Sequence, residues 1–193
     1  MHSAGQKIFL VRHGETEWSQ SGRHTGRTDV PLTDTGKRAA ESIGKALQRL
    51  ELDVWTSPLR RARETSRLAG FPSAQLDENL REWDYGVYEG RTTLQIREET
   101  ADWSVWLSPI HDGESLDQVA GRARRVIDRA TEEPTRDVCL FAHGHFLRIL
   151  AACWIGMPPL TGRYLALDTA TVSVLGYERQ TRVIRRWNVA SVL

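Results

Sequence analysis

The sequence predicts an α/β fold, a single three-layer α/β/α domain over residues 1–193 with a mostly parallel sheet. Short apolar runs such as Ile8 to Val11 and Val138 to Phe141 have the pattern of strands buried on both faces, and each stops at a polar loop. Segments with helical spacing alternate with these runs, as parallel crossovers require. The chain has 193 residues, 40% of them hydrophobic, enough for one core, and it shows no repeat or linker.

In chain order, Met1 to Gln6 is polar and is expected to be flexible. Ile8 to Val11 is the first strand and delivers Arg12-His13-Gly14. A polar stretch from Ser19 to Pro31 follows, then Thr33 caps a helix carrying Ala39, Ala40, Ile43, Leu47 and Leu50. Asp53 to Thr56 is a second strand. Ser57 caps the next helix with Pro58 at its first position, and the helix runs through Leu59 to Leu68 until Gly70 and Pro72 stop it. Leu76 to Ser108 has the weakest periodicity: a short apolar stretch, a loop with Trp83, Tyr85 and Tyr88, and one or two short helices around Leu94 to Trp106. Ser115 opens a helix through Val119, Ala123, Val126, Ile127 and Ala130, whose arginines Arg122, Arg125 and Arg129 are read as a plain solvated face. Val138 to Phe141 is the third buried strand, ending at Ala142-His143-Gly144-His145, and Phe146 to Ile155 is an apolar helix. Tyr164 to Leu167, Thr171 to Tyr177 and Arg182 to Trp187 read as strands, the last two an antiparallel pair around the turn Glu178 to Thr181.

Composition narrows the function classes. Basic and acidic side chains number 26 and 25, a net charge of +1, so no global field draws nucleic acid or an anionic membrane. The apolar stretch Ile149 to Met157 is far short of the roughly 20 residues that span a bilayer. Two cysteines, Cys139 and Cys153, both inside apolar runs, fit buried thiols in a cytoplasmic protein.

Ligands of open α/β sheets gather beyond the carboxyl ends of strands, and two such ends here carry histidines, His13 and His143. A histidine attacks phosphorus when one ring nitrogen is free and the other is held by a hydrogen bond. Phosphoryl transfer also needs fixed positive charge, best supplied by guanidinium groups, for which Arg12, Arg60 and Arg61 are candidates. A leaving alkoxide needs a proton, and Glu82 can supply it if aromatic neighbours keep it protonated. No further histidine or cysteine lies at a familiar ligand spacing from His143 and His145, which disfavours a metal reading, and no cofactor is expected.

Six blocks occur in order: Arg12-His13-Gly14-Glu15-Thr16-Glu17-Trp18; Thr25-Gly26 with Pro31-Leu32-Thr33; Ser57-Pro58-Leu59-Arg60-Arg61-Ala62; Leu80-Arg81-Glu82 with Gly86 and Glu89-Gly90; Gly113-Glu114-Ser115; and Ala142-His143-Gly144. Together they resemble the histidine phosphatase superfamily, from about Ile8 to Val189. The resemblance implies a phosphoglycerate mutase-like fold and a metal-independent phosphomonoesterase acting through a phosphohistidine. In it, His13 is the nucleophile, Arg12, Arg61 and His143 hold the transferred phosphate, and Glu82 is the proton donor. The family motif places its arginine directly before alanine, which selects Arg61 over Arg60. Many relatives have asparagine where this chain has Ser19, whose shorter hydroxyl is expected to reach a phosphate oxygen.

Within the family the chain looks most similar to the fungal sedoheptulose-1,7-bisphosphatase branch. That likeness implies a sugar phosphate or bisphosphate substrate and a wall of His24, Thr25, Gly26, Tyr85, Gly144, His145 and Arg148, with Arg148 suited to a second phosphate. The partner is then a small phosphate ester, with no nucleic acid and no membrane. Two alternatives remain: a cofactor-dependent phosphoglycerate mutase, for which the stretch between Gly90 and Gly113 is short of the needed cover, and a non-catalytic phospholigand-binding domain, although no catalytic residue is missing.

Overall fold

The computed structural model describes residues 5–132 and 135–190. Its six-stranded sheet contains β1 (Ile8–Arg12), β2 (Leu52–Thr56), β3 (Gln75–Leu76), β4 (Asp137–Ala142), β5 (Val172–Glu178) and β6 (Thr181–Val189), in the order β3-β2-β4-β1-β5-β6. β3, β2, β4 and β1 pair in parallel, while β5 joins β1 and β6 joins β5 antiparallel, so the sheet is mixed with a parallel centre. The helices are α1 (Glu17–Gln20), α2 (Asp34–Leu47), α3 (Arg60–Leu68), α4 (Thr93–Arg97), α5 (Leu116–Glu132) and α6 (Gly144–Trp154).

The layers follow from the two-residue period of a strand. Phe9, Val11, Cys139 and Phe141 point to one face, where Ile43 and Leu47 of α2 cover them. Ile8, Leu10, Val138 and Leu140 point to the other, against Val119, Ala123 and Val126 of α5 and Phe146, Leu147 and Leu150 of α6. Each leucine fully buried in these layers contributes about 2 kcal/mol. Thr33 caps α2 by accepting from Gly36 N at 3.0 Å, and Ser115 and Gln118 close a reciprocal pair of bonds at the start of α5.

α2 seats tightly under the loop after β1. A Cβ on Gly36 would meet Glu15 O at 2.3 Å, and one on Gly14 would meet Gly36 O at 2.6 Å. Only glycines allow this approach, which fixes the backbone that carries His13.

Four local expectations are corrected by tertiary partners. Residues 1–4 of the segment expected to be flexible lie outside the described residues, but Gln6 is buried, its amide donating to Ala130 O and Arg136 O. α3 begins at Arg60 rather than at Pro58, because Ser57 turns its hydroxyl to Leu59 N and to His143 instead of capping a helix. Residues 165–167 form no strand. A 3-10 helix (Pro159–Tyr164) precedes them, and the carbonyls of Ala166 and Leu167 accept from the Trp187 indole and the Arg12 guanidinium rather than from a ladder. The arginine face of α5 is not plainly solvated: Arg122 binds Glu114 and three backbone carbonyls, Arg125 binds Asn79, and Arg129 binds Asp77 and Gln75 while lying over Trp55.

Candidate active site

β1 and β4 are parallel neighbours with Arg12 opposite Ala142, so their next residues, His13 and His143, leave the sheet side by side. The two rings lie 5.2 Å apart and both are buried. His13 Nδ1 is 2.7 Å from Gly14 O, and since a carbonyl can only accept, the proton is on Nδ1 and the Nε2 lone pair is free. Gly14 is itself pinned through its N–H to Thr65 Oγ1 at 2.9 Å. Burial, with Arg61 and Arg12 alongside, holds His13 well below the ordinary imidazole pKa, which keeps the ring neutral and nucleophilic.

Three donors surround this ring without protein partners. Arg12 Nε, Arg61 Nε and His143 Nδ1 are buried and make no hydrogen bond. Each is aimed by bonds made elsewhere on the same side chain. Arg12 donates through Nη1 to Leu167 O, and Gly144 lets its guanidinium pass close, since a Cβ there would meet Nε at 3.2 Å. Arg61, fully buried, donates through Nη1 to Thr28 O at 3.0 Å and through Nη2 to Thr25 O and Gly26 O at 2.9 and 3.0 Å. Ser57 Oγ accepts from Leu59 N and sits 2.7 Å from His143 Nε2; with the hydroxyl proton turned to that nitrogen, the imidazole proton is on Nδ1. Buried donors left open at a concave site are an anion cup.

Glu82 is buried near the start of α6. Its Oε1 accepts from Trp83 N at 2.9 Å and Phe146 N at 2.8 Å, and Oε2 accepts from His145 N at 3.1 Å. The carboxylate thus does the capping that the His143 side chain does not, and one edge of Oε2 stays open. The aromatic neighbours expected to shield it are present in the wall, yet what touches the carboxylate is backbone N–H.

A cavity of 190 Å³ joins these groups, lined by Arg12, His13, Ser19, Gly22, Arg23, His24, Thr25, Glu82, Tyr85, Gly144, His145, Arg148 and Leu167. Larger grooves lie elsewhere, one of 510 Å³ beside Gln6 and Val174, but none holds this convergence of donors. Arg61 and His143 are fully buried and are not part of this lining; the His143 ring packs 5.2 Å from that of His13. Gly26 is not on the wall; it lies behind, accepting from Arg61 and donating to Glu89. Ser19 reaches the cavity with its hydroxyl proton already given to Thr16 O, in a capping box that starts α1, so a phosphate oxygen would have to compete for it. Arg148 keeps Nη1 open while Nε and Nη2 bind Gly162 O and Arg163 O, and it lies over Trp106. Tyr85 Oη is 2.6 Å from His145 Nδ1, and His24 packs between Tyr85 and Trp103. Arg60 points outward, its side chain 60% exposed. Sequence reasoning missed Gly22, Arg23 and Leu167 on the wall and Ser57 beside His143. Gly22 and Arg23 lie just before the quoted Thr25-Gly26 block and were readable; the other two need the fold. Among the described residues, no three His, Cys, Asp or Glu side chains are grouped so as to hold a metal.

Burying four neutral histidines makes the fold acid-sensitive. Burial pulls His24 down to about 4, and burial with neighbouring cations holds His13, His143 and His145 well below 6.5. The unfolded chain binds these protons near pH 6.5 and the folded chain does not, so stability is greatest above 6.5 and falls as pH drops below it. At pH 5 each such histidine is expected to cost about 2 kcal/mol. Urea unfolding at pH 7 and pH 5 reads this directly, and a stability unchanged between them would mean that the rings are charged in the fold.

The family model for the histidine phosphatase superfamily (branch 1) matches residues 8–190. An acid phosphatase of Mycobacterium tuberculosis is 46% identical over 180 residues, covering 91% of this chain and 89% of that protein. The sedoheptulose 1,7-bisphosphatase of Saccharomyces cerevisiae is 37% identical over 190 residues, covering 81% of this chain and 70% of that protein. Among solved structures, an open reading frame product of Mycobacterium tuberculosis superposes with a TM-score of 0.91 at 43% identity, covering 96% of this chain and 98% of its own.

Proposed function

The chain belongs to the histidine phosphatase superfamily, and from that premise we propose that it is a phosphomonoesterase working through phospho-His13 on a sugar phosphate or bisphosphate. The observation that carries this is the set of three buried, unpartnered donors, Arg12 Nε, Arg61 Nε and His143 Nδ1, around a neutral imidazole with a free Nε2. In the first step Nε2 attacks phosphorus, the ester P–O bond breaks, and the leaving oxygen takes a proton from Glu82. The three donors hold the phosphoryl oxygens as charge spreads over them. In the second step a water attacks the phosphohistidine, Glu82 takes the water's proton, and the P–N electron pair returns to Nε2. No metal or other cofactor is called for in this cycle.

The substrate side of the proposal is supported by the wall of His24, Tyr85 and His145, which offers ring faces and hydrogen-bonding edges to a polyol, and by Arg148 and Arg23, which bring positive charge to the same cavity. The names of two relatives, an acid phosphatase and a sugar bisphosphatase, point the same way. Both cysteines are free thiols, which supports a cytoplasmic location, and no helix among the described residues is long and apolar enough to cross a membrane.

Phosphate release in EDTA, across sugar bisphosphates, sugar monophosphates, 3-phosphoglycerate and an aryl phosphate, tests the reading. Turnover is expected to be highest on the bisphosphates. Isomerised phosphoglycerate in the presence of its bisphosphate primer, without net release, would make the protein a mutase, and no reaction on any ester would leave only a phospholigand-binding domain.

A further inference from the structure

Arg122 sits on α5; its side chain is only 12% exposed and every one of its five N–H groups is engaged. Nε and Nη2 grip the two oxygens of Glu114 at 2.8 and 2.7 Å. Nη1 donates to Asn79 O and Arg81 O, both at 2.8 Å, and Nη2 reaches Glu82 O at 3.3 Å. Glu114 holds the same segment from the other side: its Oε2 accepts from Asp84 N, its carbonyl accepts from the Trp83 indole, and its N–H donates to Asp84 O. The Arg122 guanidinium also lies over the ring of Phe146, 5.2 Å from its centroid, and it is Phe146 N that binds Glu82 Oε1. Both the main chain of Glu82 and the helix end that orients its carboxylate are therefore referenced to one side chain.

We propose that the Arg122–Glu114 pair is a clamp that positions Glu82 for proton transfer to the leaving group. That role presupposes Glu82 as the proton donor described above. A bidentate guanidinium–carboxylate pair is rigid in a way that a single hydrogen bond is not, and general acid catalysis is lost when the donor moves by a fraction of its bond length. Arg122 hydrogen-bonds none of the three cup donors and meets the cavity wall through the Glu82 carbonyl, so its effect is expected chiefly on steps that need the Glu82 proton.

The test compares kcat/KM, which reports phosphoryl transfer to His13, for a sugar phosphate and for 2,4-dinitrophenyl phosphate, whose leaving group needs no proton. Arg122→Met is expected to lower the first by roughly 30- to 100-fold and to leave the second within about threefold. Arg122→Lys, which keeps the charge but not the fork, should regain only part of the loss. Combined with Glu82→Gln, the Arg122 change should widen the gap between the two substrates no further. Equal losses on both esters, or none on the sugar phosphate, would overturn the clamp and leave Arg122 a structural residue. Should Arg122→Met not fold, Glu114→Gln carries the same expectation and the same refutation. Glu82→Gln measured alone separates the two ideas. With no gap in that variant, the proton-donor reading and the clamp fall together, and a gap there with none in the Arg122 variants overturns the clamp alone.

Discussion

Replacing His13 by Ala is expected to remove turnover on every phosphate ester, activated aryl phosphates included, by on the order of 10⁴-fold or more. A nucleophile cannot be replaced by neighbours that only hold charge. The His13 ring is prepared in two ways that cost nothing during reaction. The Gly14 carbonyl holds the proton on Nδ1, and burial beside Arg61 and Arg12 keeps the imidazole from charging as pH falls. Gly14 cannot drift, because Gly36 O and Thr65 Oγ1 confine it. In the unmodified protein, label from the substrate phosphoryl group should stay on the protein through alkaline denaturation and be released in acid, as a phosphoramidate requires. His13→Ala should show no label. A variant retaining turnover within tenfold would mean that water attacks the ester directly, and the whole cycle through Nε2 would have to be abandoned.

Much of this site is written locally in the sequence, and what is not depends on partners far along the chain. The two buried strands β1 and β4 are legible from their apolar runs, because a parallel strand covered on both faces has nowhere to put a polar side chain. The polar residues at their carboxyl ends therefore mark the site in the sequence itself. The helix face of Arg122, Arg125 and Arg129 reads as solvated because, Glu114 apart, its partners are the carbonyls at 79, 81 and 82 and the side chains of Gln75, Asp77 and Asn79, which lie 40 to 54 positions away. Residues 165–167 have strand composition, but Arg12 and Trp187 take their carbonyls, which no window of sequence reveals. The same holds for Ser57, whose helix-capping pattern is overridden by a histidine 86 positions away. Ser19 is the opposite case. Thr16 and Ser19 stand at capping-box spacing, so the competition for its hydroxyl is a local fact open to reading.

The contrast between Arg60 and Arg61 gives the second large effect. Both head a helix with four arginines in its first eight residues, and composition alone makes them equivalent. Leu59 enters the helix extended, which turns Arg61 inward beneath the cup and leaves Arg60 in solvent beside Glu64. Arg61→Ala is expected to lower kcat by roughly 100-fold or more, the scale of losing one donor that meets developing charge. Arg60→Ala should change it less than about twofold. Arg61 has a second task, since its Nη groups satisfy the carbonyls of Thr25, Gly26 and Thr28 and so hold the loop bearing the His24 wall. Arg61→Lys separates the two tasks: an ammonium restores charge but cannot serve three carbonyls and the cup together, so kcat should recover less than KM. A larger loss from Arg60→Ala than from Arg61→Ala would place the phosphate on the outer face of α3, where only exposed, solvent-screened charge is available to hold it.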